Sequence, residues 1–164
     1  QVFKIHQRHM CFAYIQEVHN QSTLDKLNKG LTVQQIYDGA KAASAAGLDV
    51  HITLMFGYPW ETASDAAKTV ALGREFLRTG RAATLQATWL VPYPGTPLFK
   101  ALDQADQLLT RDWEAYDMRS PVMKSPMTEA EIRACIAATY RGFLHPMAIL
   151  RQILRAAKHQ CGRC

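Results

Sequence analysis

Between Leu48 and Phe56 the chain reads LDVHITLMF, with apolar side chains at every second position from Val50 onward. His51 and Thr53 occupy intervening positions, so one face of an extended segment would be apolar and the other partly polar. A period of two is typical of a β-strand. We therefore predict that this segment forms a strand.

The same rhythm recurs on both sides of this segment. Strands are predicted at residues 10–16 and 83–91, and the intervening residues have apolar side chains at helical spacing. Ser22, Thr32 and Thr62 are predicted to cap the helices between them, and Thr128 caps a later helix that reaches about residue 144. Strands that alternate with helices pair in parallel, so the fold class is α/β.

Two predicted strands carry a polar row that parallel strands rarely have. His51 and Thr53 form one row, and Thr84, Gln86 and Thr88 form the other. Parallel strands are normally covered and apolar on both faces, and burying polar groups without partners costs free energy. A barrel lumen that is polar toward a ligand explains both rows, and the alternative is a polar face on an exposed sheet.

Composition and motif content exclude several classes of protein. The chain has 164 residues, of which 48% are hydrophobic, and no apolar run approaches the length of a membrane span. Phosphate-loop, dinucleotide-binding and serine-elbow motifs are absent from the sequence. Four cysteines without a secretory signal indicate a cytoplasmic protein with reduced thiols. None of the residues is assigned as catalytic or as a metal ligand.

The positive charge lies at the C-terminus. The net charge is +5, and residues 141–164 contain five Lys or Arg and no acid. Such a tail either contacts an anionic partner or is a solvated cationic face on a terminal helix. Nucleic acid is not the expected partner.

Candidate binding residues lie where the predicted strands end. Ligands of parallel α/β folds bind at the carboxyl ends of the strands. Glu17 follows the first strand and offers a carboxylate to an amine or to hydroxyl groups. Gly57 follows the second strand, where it either lets the backbone approach a ligand or makes a tight turn.

Two proline-containing motifs carry a family resemblance. Residues 57–62 read GYPWET and residues 92–98 read PYPGTPL, and together they resemble the radical S-adenosylmethionine (SAM) superfamily. The similarity is greatest to members associated with a cobalamin-binding domain, such as the anaerobic cyclase and hopanoid-modifying types. Residues 24–30 and 112–123 also resemble segments of that group.

The resemblance implies a fold and a set of cofactor contacts. Residues 1–105 would be strands four to six, the C-terminal half of a partial parallel (β/α)6 barrel, and residues 106–164 would be a helical extension with a basic tail. The positions that match SAM-binding positions of the family are Glu17, Lys29, Thr53, Met55 and Gly57.

The resemblance also implies a larger enzyme. The superfamily holds a [4Fe-4S] cluster on a Cys-x-x-x-Cys-x-x-Cys motif, which this chain does not contain. The cluster would therefore lie in a missing N-terminal half of the barrel, and this chain would be inactive alone. The parent would cleave SAM to a 5′-deoxyadenosyl radical and act on a small-molecule or lipid-like substrate. The resemblance is compatible with cobalamin as a further cofactor, and the sequence leaves its use open. The alternative function is a non-catalytic α/β binding or interaction module that uses its basic C-terminal tail.

Overall fold

The protein has a mixed α/β fold built on a three-stranded parallel sheet. The computed structural model describes the backbone of residues 12–17 and 20–161 and the side chains of residues 20–157. The strands are β1 (Phe12–Glu17), β2 (Asp49–Phe56) and β3 (Thr84–Trp89), in the order β1-β2-β3. All pairs are parallel, as the alternation of strands and helices predicted.

Helices connect and cover the strands. In chain order they are α1 (Gln21–Lys26), α2 (Val33–Ala45), α3 (Ala63–Thr79), α4 (Pro97–Gln104), α5 (Glu129–Tyr140) and α6 (Pro146–Cys161). Short 3₁₀ helices span Trp113–Ala115 and Arg141–Leu144. The helix predicted to reach residue 144 therefore changes to 3₁₀ geometry after Tyr140 and stops before Pro146.

Most of the predicted helix starts are confirmed. A threonine N-cap and a Gln, Asp or Glu three residues later form reciprocal capping boxes at three helices. These pairs are Thr32–Gln35, Thr62–Asp65 and Thr128–Glu131. The prediction for α1 is wrong by two residues, because Asn20 is the cap and its side chain accepts the Ser22 N–H.

The hydrophobic core lies between one face of the sheet and the helices. Val50, Ile52, Leu54 and Phe56 of β2 are fully buried. They pack with residues of α2, α3 and α5, among them Ile36, Phe76 and Ile132. The C-terminal helices complete this same core, since Ile132 of α5 and Ala148 of α6 belong to it.

Glycine allows the closest approach between α3 and the sheet. A Cβ atom on Gly73 would lie 2.6 Å from Leu54 Cδ1 and 3.0 Å from Leu85 Cδ1. Both leucines are buried in the core and have little room to move. The helix therefore rests on the strands at a residue that has no side chain.

In the part of the chain that the structure describes, no helix combines the length and the apolar composition needed to cross a bilayer.

We predict that Gly73→Ala destabilises the protein by about 1–3 kcal/mol, because the added methyl group overpacks the contact with Leu54 and Leu85. Gly39→Ala on α2 is the matched control, since a Cβ there meets nothing within 4 Å. The control should raise stability by roughly 0.5–1 kcal/mol through higher helix propensity. Urea unfolding measures both changes. Equal effects of the two substitutions would contradict the packing argument.

Candidate functional site

The sheet face opposite the core carries a row of polar side chains near the strand ends. Thr53 is 5% exposed and lies on β2 between its register partners Gln16 and Gln86. Thr88 pairs in register with Met55. The Thr88 hydroxyl is buried and has no hydrogen-bond partner in the structure. A buried hydroxyl without a partner is rare and costly, so it marks a place where a ligand group can bind.

The other end of the row is closed by a side-chain hydrogen bond. His51 Nδ1 lies 2.7 Å from Thr84 Oγ1, across the β2–β3 pair. Burial lowers the pKa of His51, so the ring is neutral at physiological pH. The His51 and Thr84 side chains bond to each other, whereas the Thr88 hydroxyl, nearer the carboxyl end of the row, has no hydrogen-bond partner.

The turn after β2 requires glycine at residue 57. Gly57 has a φ of +93°, a backbone conformation that residues with a side chain rarely adopt. A Cβ atom there would also lie 3.1 Å from Ile132 Cδ1 of α5. The tight-turn role that the sequence left open is therefore confirmed. A ligand contact at Gly57 stays a prediction.

A buried carboxylate holds this turn together. Glu61 is 2% exposed, and its Oε2 accepts the Gly57 N–H at 2.6 Å. The Tyr58 N–H also donates to the carboxylate. The second oxygen, Oε1, is buried and has no hydrogen-bond partner. Glu61 thus binds two successive backbone N–H groups at the end of β2.

Burial shifts the protonation of this carboxyl group. Desolvation raises the pKa of Glu61 to about 7, although the hydrogen bonds from Gly57 and Tyr58 lower it. Asp65, one turn into α3, raises it further through like-charge repulsion. Glu61 therefore titrates near neutral pH while it binds the turn at the end of β2.

Helix α1 is attached to the same turn through a tryptophan. Trp60 Nε1 donates to the buried Thr23 hydroxyl at 3.1 Å, and the Lys26 ammonium lies 4.9 Å from the centre of the Trp60 ring. Lys29, which the resemblance assigns to SAM, is exposed in the loop after α1. The structure thus places Lys29 on a segment that is anchored at the strand end, and places Lys26 directly on the aromatic ring.

The predicted residues differ in how closely the structure groups them. Met55 is half-buried and packs in a cluster with Tyr58, Trp60 and Leu27, so it lies between α1 and the turn. Glu17 is the last residue of β1, where its Cα pairs with that of Leu54, and its side chain lies outside the described residues. Thr53, Met55 and Gly57 follow one another along β2, while Glu17 ends the neighbouring strand.

Two residues of this site are not identified by the sequence. The motifs place Glu61 only in the strand-end turn, and the alternation places Thr88 only in a polar row. A signal for Glu61 is available, because an acid four residues after a strand-end glycine can fold back onto the glycine N–H. No local pattern distinguishes Thr88 from Thr84.

The described residues do not provide a metal centre. No group of three His, Cys, Asp or Glu among them is arranged to hold a metal ion. Cys135 on α5 is a free, half-buried thiol. Burial, followed by the nearby Glu61 and Glu131, raises the pKa of this thiol, which disfavours the thiolate that binds iron or zinc.

Comparison with known proteins gives a similarity to a methyltransferase. The chain is 31% identical over 132 residues to an uncharacterized methyltransferase from Pyrococcus horikoshii. The alignment covers 79% of this chain but only 28% of that protein, so the chain spans about a quarter of its relative's length. No protein-family model matches the chain.

We predict that Glu61→Gln removes a pH dependence of stability. In the folded protein the pKa of the Glu61 carboxyl is raised from 4.5 to about 7. Binding of a proton to this group therefore stabilises the folded state, and the stabilisation is complete below pH 4.5. This contribution, about 3 kcal/mol, is lost as the pH rises toward 7. The glutamine stays neutral, so the stability of the variant relative to the wild type should rise from pH 4.5 to pH 8.

Thermal unfolding of both proteins across this pH range measures the difference. Glu114→Gln is the matched control, because it removes an exposed carboxylate by the same chemical change. Parallel stability curves for the wild type and Glu61→Gln would show that Glu61 is not the titrating group.

Proposed function

We propose that this chain is part of a SAM-dependent methyltransferase and that the carboxyl ends of β1, β2 and β3 form part of its SAM-binding site. The similarity to a methyltransferase supports the reaction class. The GYPWET and PYPGTPL motifs support the finer proposal, that the three strands are strands four to six of a radical SAM barrel. The substrate, the radical chemistry and the use of cobalamin belong to that finer proposal.

The covered outer edge of β3 supports a longer barrel that continues on the β1 side. The Tyr140 hydroxyl accepts the Ala87 N–H at 3.1 Å and lies 3.3 Å from the Ala87 carbonyl oxygen, so it occupies the outer edge of β3. The Gln152 side chain binds the Ala83 carbonyl at the start of the same strand. Helices thus cover the β3 edge, and in the proposed barrel strands one to three pair on the β1 side.

The observation that carries the proposal is the unpartnered Thr88 hydroxyl. It is buried near the carboxyl end of β3, in the row that contains Thr53. A threonine hydroxyl both donates and accepts hydrogen bonds, and SAM offers ribose hydroxyls and adenine nitrogens as partners. Thr53 and Met55 lie beside it on β2, and Met55 offers a polarizable, apolar surface to a flat ring.

In this proposal the chain binds and orients SAM and does not react with it. SAM, when bound, supplies an activated methyl group or, after reductive cleavage, a 5′-deoxyadenosyl radical. Thr53 and Thr88 hold the nucleoside, Lys29 attracts the SAM carboxylate, and Glu17 accepts from donor groups of SAM. Glu61 keeps the Gly57 turn in the conformation that closes the end of β2.

The residues that the structure describes do not fit a [4Fe-4S] cluster. Among residues 20–157, whose side chains are described, the free cysteine is Cys135, and it lies on α5 behind the core face of the sheet. The proposal therefore assigns the cluster to another part of the longer polypeptide. No role in cluster chemistry is derived for the described residues.

The alternative, an interaction module that uses its basic tail, is less well supported. Arg151 and Arg155 of α6 bind main-chain carbonyls of the protein body. Within residues 146–157, these guanidinium groups are therefore used internally. Arg155 is half-buried, whereas Arg151 bonds to the Arg78 carbonyl and also stays exposed to solvent.

We predict that Thr88→Val weakens SAM binding about 10-fold in the complete polypeptide, since one hydrogen bond to the ligand is lost. Without SAM the same variant should be as stable as the wild type or more so, because it removes an unsatisfied buried hydroxyl. Thr69→Val is the matched control. Thr69 is fully buried, and its hydroxyl, unlike that of Thr88, is satisfied, since it bonds to the Asp65 carbonyl within α3.

Isothermal titration with SAM measures affinity, and thermal unfolding without SAM measures stability. Unchanged SAM affinity in Thr88→Val would remove this row from the site.

We further predict that Glu17→Ala and Lys29→Ala each weaken SAM binding by about 1.5–3 kcal/mol, the range for hydrogen bonds to charged groups. Turnover at saturating SAM should fall less than affinity, because these contacts act mainly in the ground state. Lys41→Ala, on the exposed side of α2, is the control for loss of one positive charge. Wild-type affinity in both variants would mean that these residues lie outside the site.

A further inference from the structure

Helix α6 bonds to the protein through polar side chains and exposes large apolar side chains, which is the reverse of an ordinary surface helix. Its polar side chains face the body of the protein: Gln152 donates to the Ala83 carbonyl, and Arg151 donates to the Arg78 carbonyl at 3.0 Å. Arg155 donates to the Gly80 carbonyl at 3.0 Å and pairs with Asp49 at 3.2 Å. Polar contacts thus fix this helix to the end of α3 and the start of β3.

The opposite side of α6 is apolar and exposed. Its large side chains are 42–60% exposed, namely Met147, Ile149, Leu150, Ile153 and Leu154. The charged residues between 146 and 157 are Arg151 and Arg155, and both bind the body. We call the five large apolar residues the outer face of α6. A face of this kind is typical of an interaction site.

We propose that the outer face of α6 binds the same face of a second copy of this chain, as an antiparallel helix pair. This inference is independent of the proposed function, since it uses residues on the far side of the core from the polar row.

The sequence of α6 is self-complementary in the antiparallel direction. Its exposed seam has spacings of four, three and four residues, at Pro146, Leu150, Ile153 and Ala157, as in helices that pack side by side. A two-fold axis at the middle of this seam brings Leu150 opposite Ile153 of the other copy. The flanking residues Ile149 and Leu154 each approach their own counterparts, so large side chains meet at the centre, with Pro146 and Ala157 at the ends. A surface that maps onto itself under a two-fold axis is what a symmetric dimer requires.

Over residues 146–157, the electrostatics of α6 favour this occupant over a membrane surface. Helices that lie on anionic lipid need cationic side chains free to reach the headgroups. Arg151 and Arg155 are bound to carbonyls and to Asp49 instead. An uncharged face lets two copies meet without buried charge, and the antiparallel arrangement aligns the helix dipoles favourably.

The size of the outer face indicates a modest affinity. Two copies would together bury on the order of 1,000 Å², the lower limit of a specific interface. We therefore expect a reversible dimer that forms with rising protein concentration.

The experiment is sedimentation of this chain over a range of concentrations, with Leu150→Lys and Ile153→Glu variants. Because both copies carry the substitution, each variant places a charge opposite an apolar side chain in both halves of the seam. Each variant alone should therefore dimerise at least about 100-fold more weakly than the wild type. A mixture of the two variants should dimerise within about 10-fold of the wild type. In the mixed dimer one half of the seam pairs the introduced lysine with the introduced glutamate, and the other half keeps the native Leu150 and Ile153.

Controls separate folding from association. Both positions are about half exposed or more, so circular dichroism and the melting temperature should be unchanged in each variant. Leu109→Lys, at an apolar residue that is 53% exposed elsewhere, should dimerise like the wild type.

Three outcomes would overturn the proposal. One is a wild-type chain that stays monomeric at about 100 μM. A second is a dimer that the single variants do not weaken or that the mixture does not restore, since a parallel pair would place like residues opposite each other. The third is a monomeric chain that co-sediments with phosphatidylglycerol vesicles, which would assign the outer face to a lipid surface.

Discussion

The structure depends on the central strand β2 being paired on both edges while every second side chain is fully buried. Val50, Ile52, Leu54 and Phe56 have no exposed surface, and they anchor α2, α3 and α5 to one side of the sheet. Because strand residues alternate between faces, burying this set directs His51, Thr53 and Met55 to the other side. The candidate binding row is therefore a geometric consequence of the core.

The end of β2 combines an apolar core contact with a polar constraint. Gly57 must be a glycine because of its positive φ and because Ile132 lies against it. Glu61 then uses one buried carboxylate oxygen to hold the N–H of Gly57. A carboxyl group so removed from water retains its proton more strongly, so burial raises the pKa of Glu61 to about 7.

The C-terminal helices have two different relations to the core. Helix α5 contributes apolar residues such as Ile132 to it, and its Tyr140 hydroxyl caps the edge of β3 at Ala87. Helix α6 is attached mainly by Arg151, Gln152 and Arg155, whose side chains satisfy carbonyls that the ends of α3 and β3 leave free. An edge that is covered by helices is protected from pairing with further strands.

The sequence by itself determined the strands, most helix starts and the parallel order, because these depend on side-chain alternation and on hydrogen bonds between residues three or four apart. The capping boxes at Thr32, Thr62 and Thr128 are local features of this kind. The sequence also located Thr53, Met55 and Gly57 at the end of β2. The barrel and the SAM contacts stay predictions from the resemblance.

Only the tertiary structure decided which polar groups lose their contact with water. Thr84 and Thr88 are alike in sequence, but His51 satisfies the first hydroxyl and nothing satisfies the second. The same holds for α6, where periodicity reveals an apolar stripe but not the side that meets the body. That choice follows from the carbonyls of Arg78, Gly80 and Ala83, which accept hydrogen bonds from α6 although they are distant from it in sequence.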